Sequence, residues 1–129
     1  MRNDFLSSTM IFPVKDAAET AHFYQEKLGF KIKGIWNIPG YASVTRGDVV
    51  IEFGEGRQEY TGSGVCQIQV SDVDEVYQEF RRTDLQFIGE LADRDYGNRD
   101  FRIRDIDGNM LIVSSVLSTC PTPEGSESN

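Results

Sequence analysis

Few side chains in this 129-residue chain can do acid–base, nucleophilic or ligating chemistry. The most informative is Glu52, set in the run Val49-Val50-Ile51-Glu52-Phe53. That run reads as a strand, and a carboxylate inside an apolar strand is costly to bury without a partner. Glu52 therefore faces a ligand-accessible surface or pairs with a cation such as Arg99, Arg102 or Arg104. On such a surface it would take a ligand's cation or hydrogen-bond donor, or act as a general base. Trp36, Tyr41, Tyr60 and Tyr96 are aromatics beside turns or in polar stretches, able to stack on a flat or cationic group. Phe53 is a candidate by position, although its alternation with Ile51 makes core packing its ordinary role.

The other reactive side chains point to structure. His22 is the sole histidine and sits in AETAHFYQ, beside an apolar helix face, where a solvated or half-packed ring is expected. One histidine argues against three-histidine zinc sites and two-histidine iron sites. Cys66 falls on a strand with no adjacent His or Lys to activate it, so it reads as a packed thiol. Cys66 and Cys120 form no Cys-x-x-Cys pair, and both read as free thiols of a reducing compartment. Asp105, Asp107 and Asn109 bracket a turn too short for a calcium cage.

Composition narrows the partners. A formal net charge of −8 disfavours nucleic acid and anionic membrane surfaces, and permits a cationic small molecule. With 39% hydrophobic and 26% charged residues, the chain suits one soluble domain burying about two-thirds of its unfolded surface. No apolar run has the length of a membrane span or a signal peptide, so a cytoplasmic location is expected.

The elements that must position these residues repeat. Val14-Lys15-Asp16 returns as Val70-Ser71-Asp72, each aspartate with a glutamate three residues on (Glu19 and Glu75). That spacing predicts two capped helices. Behind them run Ala17, Ala21, Tyr24 and Leu28, then Val73, Val76, Tyr77 and Phe80, both at helical period. Gly29 marks a left-handed stop. Strands are expected at about 9–14, 30–37, 41–45 and 49–53, and again at 65–70, 86–91, 100–104 and 110–116. Asp107-Gly108-Asn109 signals a hairpin. Residues 7–56 thus form one module and 63–117 a second, with a disordered polar tail at 118–129 carrying two of the negative charges, Glu124 and Glu127.

Three segments carry a family resemblance: FPVKDAAETAHFYQEKLGF (12–30), RGDVVIEF (46–53) and GNRDFRIRDIDGNMLIV (97–113), with Ile106 where a proline is usual. Together with the repeat they resemble the vicinal oxygen chelate superfamily of glyoxalases, bleomycin resistance proteins and dioxygenases. The resemblance implies one α+β domain of tandem βαβββ modules, with open cup-shaped mixed sheets, helices outside and a cleft. It also implies metal ligands on the first and last strands of each module. The matching positions are Thr9, Glu52, Val65 and Ile112, a set that cannot form a divalent site. The resemblance is therefore nearest to the metal-free bleomycin resistance proteins, with no metal and no cofactor. It implies a homodimer that swaps its first strand around Pro13, and a ligand-binding set of Trp36, Tyr41, Glu52, Phe53, Tyr60 and Tyr96. The expected function is sequestration of a cationic or aromatic compound. The alternative is a metal-independent isomerase or lyase with Glu52 as base and Tyr41 or Tyr96 as its proton partner.

Overall fold

Both aspartate signals open a helix in the computed structural model, which describes residues 3–117. Cys120 and the tail expected at 118–129 lie outside the described residues. Helix α1 spans Ala17–Leu28 and α2 spans Val73–Arg81. Asp16 Oδ1 accepts the Glu19 amide at 3.0 Å, and Asp72 Oδ1 accepts the Glu75 amide at 3.2 Å. Each bond satisfies one orphan donor of a helix start. The N-terminal amide of α1, at Ala17, donates to Glu55 Oε2 at 2.7 Å, while the matching Val73 amide of α2 donates to Ser115 Oγ at 3.0 Å. Helix α1 ends at Gly29, whose φ of 74° is the expected left-handed stop.

The strands are β1 (Met10–Pro13), β2 (Lys31–Asn37), β3 (Gly40–Arg46), β4 (Val49–Gly54), β5 (Val65–Gln69), β6 (Gln86–Phe87), β7 (Ala92–Asp93), β8 (Asn98–Arg104) and β9 (Met110–Val116). A 3-10 turn at Gln58–Tyr60 follows β4. The chain divides into two compact units. The first holds residues up to Gly64 together with Asp105–Asn109, and the second holds Val65–Arg104 and the chain from Met110 onward. The five residues Asp105–Asn109 thus lie within the span of the second module but group with the first unit.

The first unit's sheet has strand order β1-β4-β3-β2, with β1 parallel to β4 and the other pairs antiparallel. The second unit repeats the plan as β5-β9-β8-β6, with β7 also pairing β8. Two mixed sheets and two helices make the α+β fold that the repeat implies. Pro13 stands on β1, an edge strand, where its missing N–H costs no ladder bond.

One element departs from expectation. The strand expected at 86–91 is broken, because Gly89 adopts φ 73° and turns the chain between β6 and β7. A left-handed residue cannot continue a ladder, and the apolar spacing of Phe87, Ile88 and Leu91 conceals this.

The first core forms where α1 meets β3 and β4. Ala17, Ala21, Tyr24 and Leu28 are buried against Ala42, Val44, Ile51 and Phe53. The Tyr24 ring lies 4.8 Å from Phe53 and 5.5 Å from Phe30, centroid to centroid. The phenol of Tyr24 finishes in polar company, donating to Asp105 Oδ2 at 2.7 Å. Asp105 Oδ1 also accepts the amides of Asp107 and Asn109, at 2.9 and 3.0 Å, and the Asn109 side-chain amide reaches Oδ2 at 3.3 Å. Asp107 in turn accepts the Lys15 amide at 3.0 Å and the Thr20 hydroxyl at 2.5 Å. The turn is therefore held by hydrogen bonds from residues of the α1 region. In the second unit, Phe101 gathers Tyr77, Phe80 and Phe87 at centroid distances of 5.0, 5.8 and 6.0 Å.

Tyr24→Phe keeps the ring packing and removes one of the four donors to a buried carboxylate, so denaturant unfolding should show a loss of about 1–3 kcal/mol. Burial pushes the Asp105 carboxyl above its usual range, partly offset by its four donors. The folded chain then holds this proton to higher pH than the unfolded chain does. The associated stability is full below the unfolded pKa and is lost as pH rises through the folded one. Urea unfolding from acid to neutral pH should accordingly show wild type losing ground to Asp105→Asn as pH rises.

Candidate functional site

In the first unit, strand alternation sends Ala42, Val44, Ile51 and Phe53 toward α1 and their neighbours to the opposite face. Strand pairing aligns these opposite-face residues in rows across all four strands. One row runs Ile11, Glu52, Ser43, Gly34. The adjacent row runs Pro13, Gly54, Tyr41, Trp36.

The aromatic side chains of the second row lean over the first. Tyr41 donates its hydroxyl to Glu52 Oε1 in a short hydrogen bond. The Tyr41 phenol is pushed up to about 12, by burial first and then by the hydrogen bond and negative charge of Glu52. The Trp36 ring centroid lies 6.2 Å from that of Tyr41, and the indole folds back over Gly34. A Cβ at position 34 would meet the indole at 2.6 Å, so only glycine leaves the slot open. Trp36 remains 53% exposed, whereas Ser43 beside Glu52 is 3% exposed and its Oγ has no hydrogen-bond partner.

The structure thus brings Trp36, Tyr41 and Glu52 together on one face. The hydrogen-bond partner of Glu52 is Tyr41, in place of the arginines considered from sequence. Arg99 instead binds Asp74 and Asp93, each at 2.9 Å. Phe53 takes the core role that its alternation allows, fully buried beside Phe12 and Tyr24 on the helix-facing side. Tyr60 is exposed in the 3-10 turn. Tyr96 belongs to the second unit, where its hydroxyl donates to the buried Asp100 at 2.8 Å and accepts from Arg102 at 3.0 Å. Arg94 completes that cluster by donating to Asp100 at 2.7 Å.

His22 is exposed on α1, and burial pushes the half-buried Cys66 thiol up, away from reactive thiolate. The strand positions implied for metal ligands shift by two residues. Thr9 precedes β1, and the strand neighbour of Glu52 is Ile11. In the second unit Val65 pairs with Met110, and the neighbour of Ile112 is Gln67. One carboxylate beside a hydrocarbon, and one amide beside another, do not fit a divalent metal. Among the described residues no three His, Cys, Asp or Glu side chains form a metal-binding group, and no helix is long and apolar enough to cross a membrane.

Sequence reasoning missed Ser43. Its signal was a lone hydroxyl between Ala42 and Val44, visible as part of a site only once the register placed it opposite Glu52.

Comparison with known proteins supplies independent context. A family model described as "Glyoxalase/Bleomycin resistance protein/Dioxygenase superfamily" matches residues 6–113. The bleomycin resistance protein of Geobacillus stearothermophilus is 26% identical, over 82% of this chain and 93% of that one. Among solved structures, the bleomycin-binding protein of bleomycin-producing Streptomyces verticillus, complexed with copper(II)-bleomycin, has a TM-score of 0.77. Its identity is 21%, covering 88% of this chain and 98% of that chain. The bleomycin resistance determinant encoded on transposon Tn5 has a TM-score of 0.73 at 23% identity, covering 87% and 98%. At these identities the solved structures show likeness of fold.

Ultraviolet titration provides a direct check of the Tyr41–Glu52 contact. One tyrosine should ionise near pH 12 in wild type, and Glu52→Gln should bring it back toward the ordinary tyrosine range.

Proposed function

Because the chain belongs to the glyoxalase/bleomycin resistance protein/dioxygenase superfamily, we propose that it sequesters a small aromatic or cationic compound without a metal. The binding surface is the first unit's open sheet face. The observation that carries this reading is the half-exposed Trp36 beside Tyr41, over a carboxylate whose second oxygen is free of the Tyr41 bond. An indole face attracts a flat cation, and Glu52 supplies the countercharge. The bleomycin resistance relatives support a bleomycin-type glycopeptide as the specific ligand.

The working form in this proposal is a homodimer. Strand β1 is the edge of its sheet and carries Ile11 at 52% exposure, which leaves its outer side open to a partner. In the described chain β1 pairs with its own β4. Exchange of the segment around Pro13 would replace that pairing with the identical one from a partner. A cytoplasmic location is part of the same reading, supported by the free thiol of Cys66.

Calorimetric titration of metal-free protein with bleomycin-type glycopeptides tests the reading. Binding should be measurable, and ligand at about 100 times Kd should raise unfolding free energy by about 2.7 kcal/mol. Trp36→Ala and Glu52→Gln should each weaken binding about tenfold. No heat and no stability shift across the panel would remove the glycopeptide as ligand, and sedimentation at working concentration decides the dimer.

A further inference from the structure

Ser43 is the one residue of the Ile11–Glu52–Ser43–Gly34 row whose chemistry is unused. Its hydroxyl is buried and unpaired, although a hydroxyl in that position normally finds a partner. Both strand neighbours bear on its role. On β4 it faces Glu52, which spends one oxygen on Tyr41. On β2 it faces Gly34, whose missing side chain lets the Trp36 indole lie across the row. Ser43 is therefore a polar floor next to a carboxylate, with an aromatic cover beside it. The cover is the exposed member of the set, with Trp36 at 53% against 3% for Ser43.

Resting on the proposed binding function, we infer that Ser43 and Glu52 form a two-point acceptor for a planar, N–H-rich cation of the amidine or guanidine class, which binds beneath Trp36. The strand register sets Ser43 directly opposite Glu52, so two N–H groups of one planar cation have two acceptors side by side, the free Glu52 oxygen and Ser43 Oγ. A flat delocalised cation also stacks on an indole and sheds water more easily than a compact ammonium. An ammonium presents no flat face to the indole, and its compact, strongly hydrated charge is more costly to bring down to the buried Ser43 hydroxyl. Ser43 is thus the residue that sets specificity by the shape of the cation.

Benzamidine and benzylamine carry the same ring and the same charge and differ in the shape of the cation. Both can be titrated by calorimetry and by fluorescence of Trp36, the only tryptophan of the chain. Wild type should prefer benzamidine about tenfold. Ser43→Ala should abolish that preference by weakening benzamidine, and should not lower the unfolding midpoint, because it removes an unpaired buried group. Equal binding of the two cations by wild type, or a preference that survives Ser43→Ala, overturns the two-point acceptor while leaving the sequestration reading in place. If neither cation binds or perturbs Trp36, the cationic site itself falls and this inference falls with it.

Discussion

The buried carboxylate of Asp105 is the constraint around which the first unit is arranged. A charge or acid at 5% exposure is tolerable only when its oxygens are answered, and here four donors answer them. Two donors are backbone amides of its own turn, one is the Asn109 side chain, and one is the phenol of Tyr24 at the heart of α1. The aromatic core and the polar turn therefore share a single side chain. Any movement of α1 that loosens the Tyr24 ring from Phe53 also takes one donor from the carboxylate. The same Tyr24 ring packs on Phe53 of β4, the strand whose alternation sends Glu52 to the opposite face.

The two units use one plan for different surfaces. Each starts its helix with an aspartate cap and runs its first strand parallel to its last. Their open faces then diverge. The first carries Trp36, Tyr41 and Glu52, with a hydroxyl beneath. The second carries Asp100 already neutralised by Arg94, with Tyr96 and Arg102 bonded around it. The Asp100 cluster is charge-paired, with Arg102 Nε left as a buried donor without a hydrogen-bond partner, whereas on the first face a hydroxyl lies unpaired beside a half-engaged carboxylate. The aromatic pair of Trp36 and Tyr41 over a carboxylate with an unengaged oxygen is what places the proposed recognition surface on the first unit's face.

Much of the fold was legible in the sequence because its signals are local. A cap at Asp16 or Asp72 and an apolar stripe from Ala17 to Leu28 depend on neighbours within a turn or two. The family motifs then ordered the elements. Tertiary contacts escaped. Gly89 breaks a strand through its dihedral, which apolar spacing does not report. The residue beside Glu52 is Ile11 and not Thr9, since parallel register is set by packing and not by distance from the cap. Glu52 and Trp36 were visible as residue types out of place. The Tyr41 contact joins two strands on neighbouring rows, and Ser43 gains meaning only through register.

The placement of Asp105–Asn109 also has a consequence for how the protein is made. The ribosome delivers the chain from its first residue, and the first 64 residues emerge long before the turn that belongs with them. During that interval Tyr24 and Thr20 have no carboxylate to meet, and Asn109 is not yet there to accept the Gly64 amide at 2.8 Å. The hydrogen bonds that complete the first unit can therefore form only after most of the carboxy-terminal half has been synthesised. The βαβββ plan is repeated, but the loan of this one turn ties completion of the first unit to synthesis of the second.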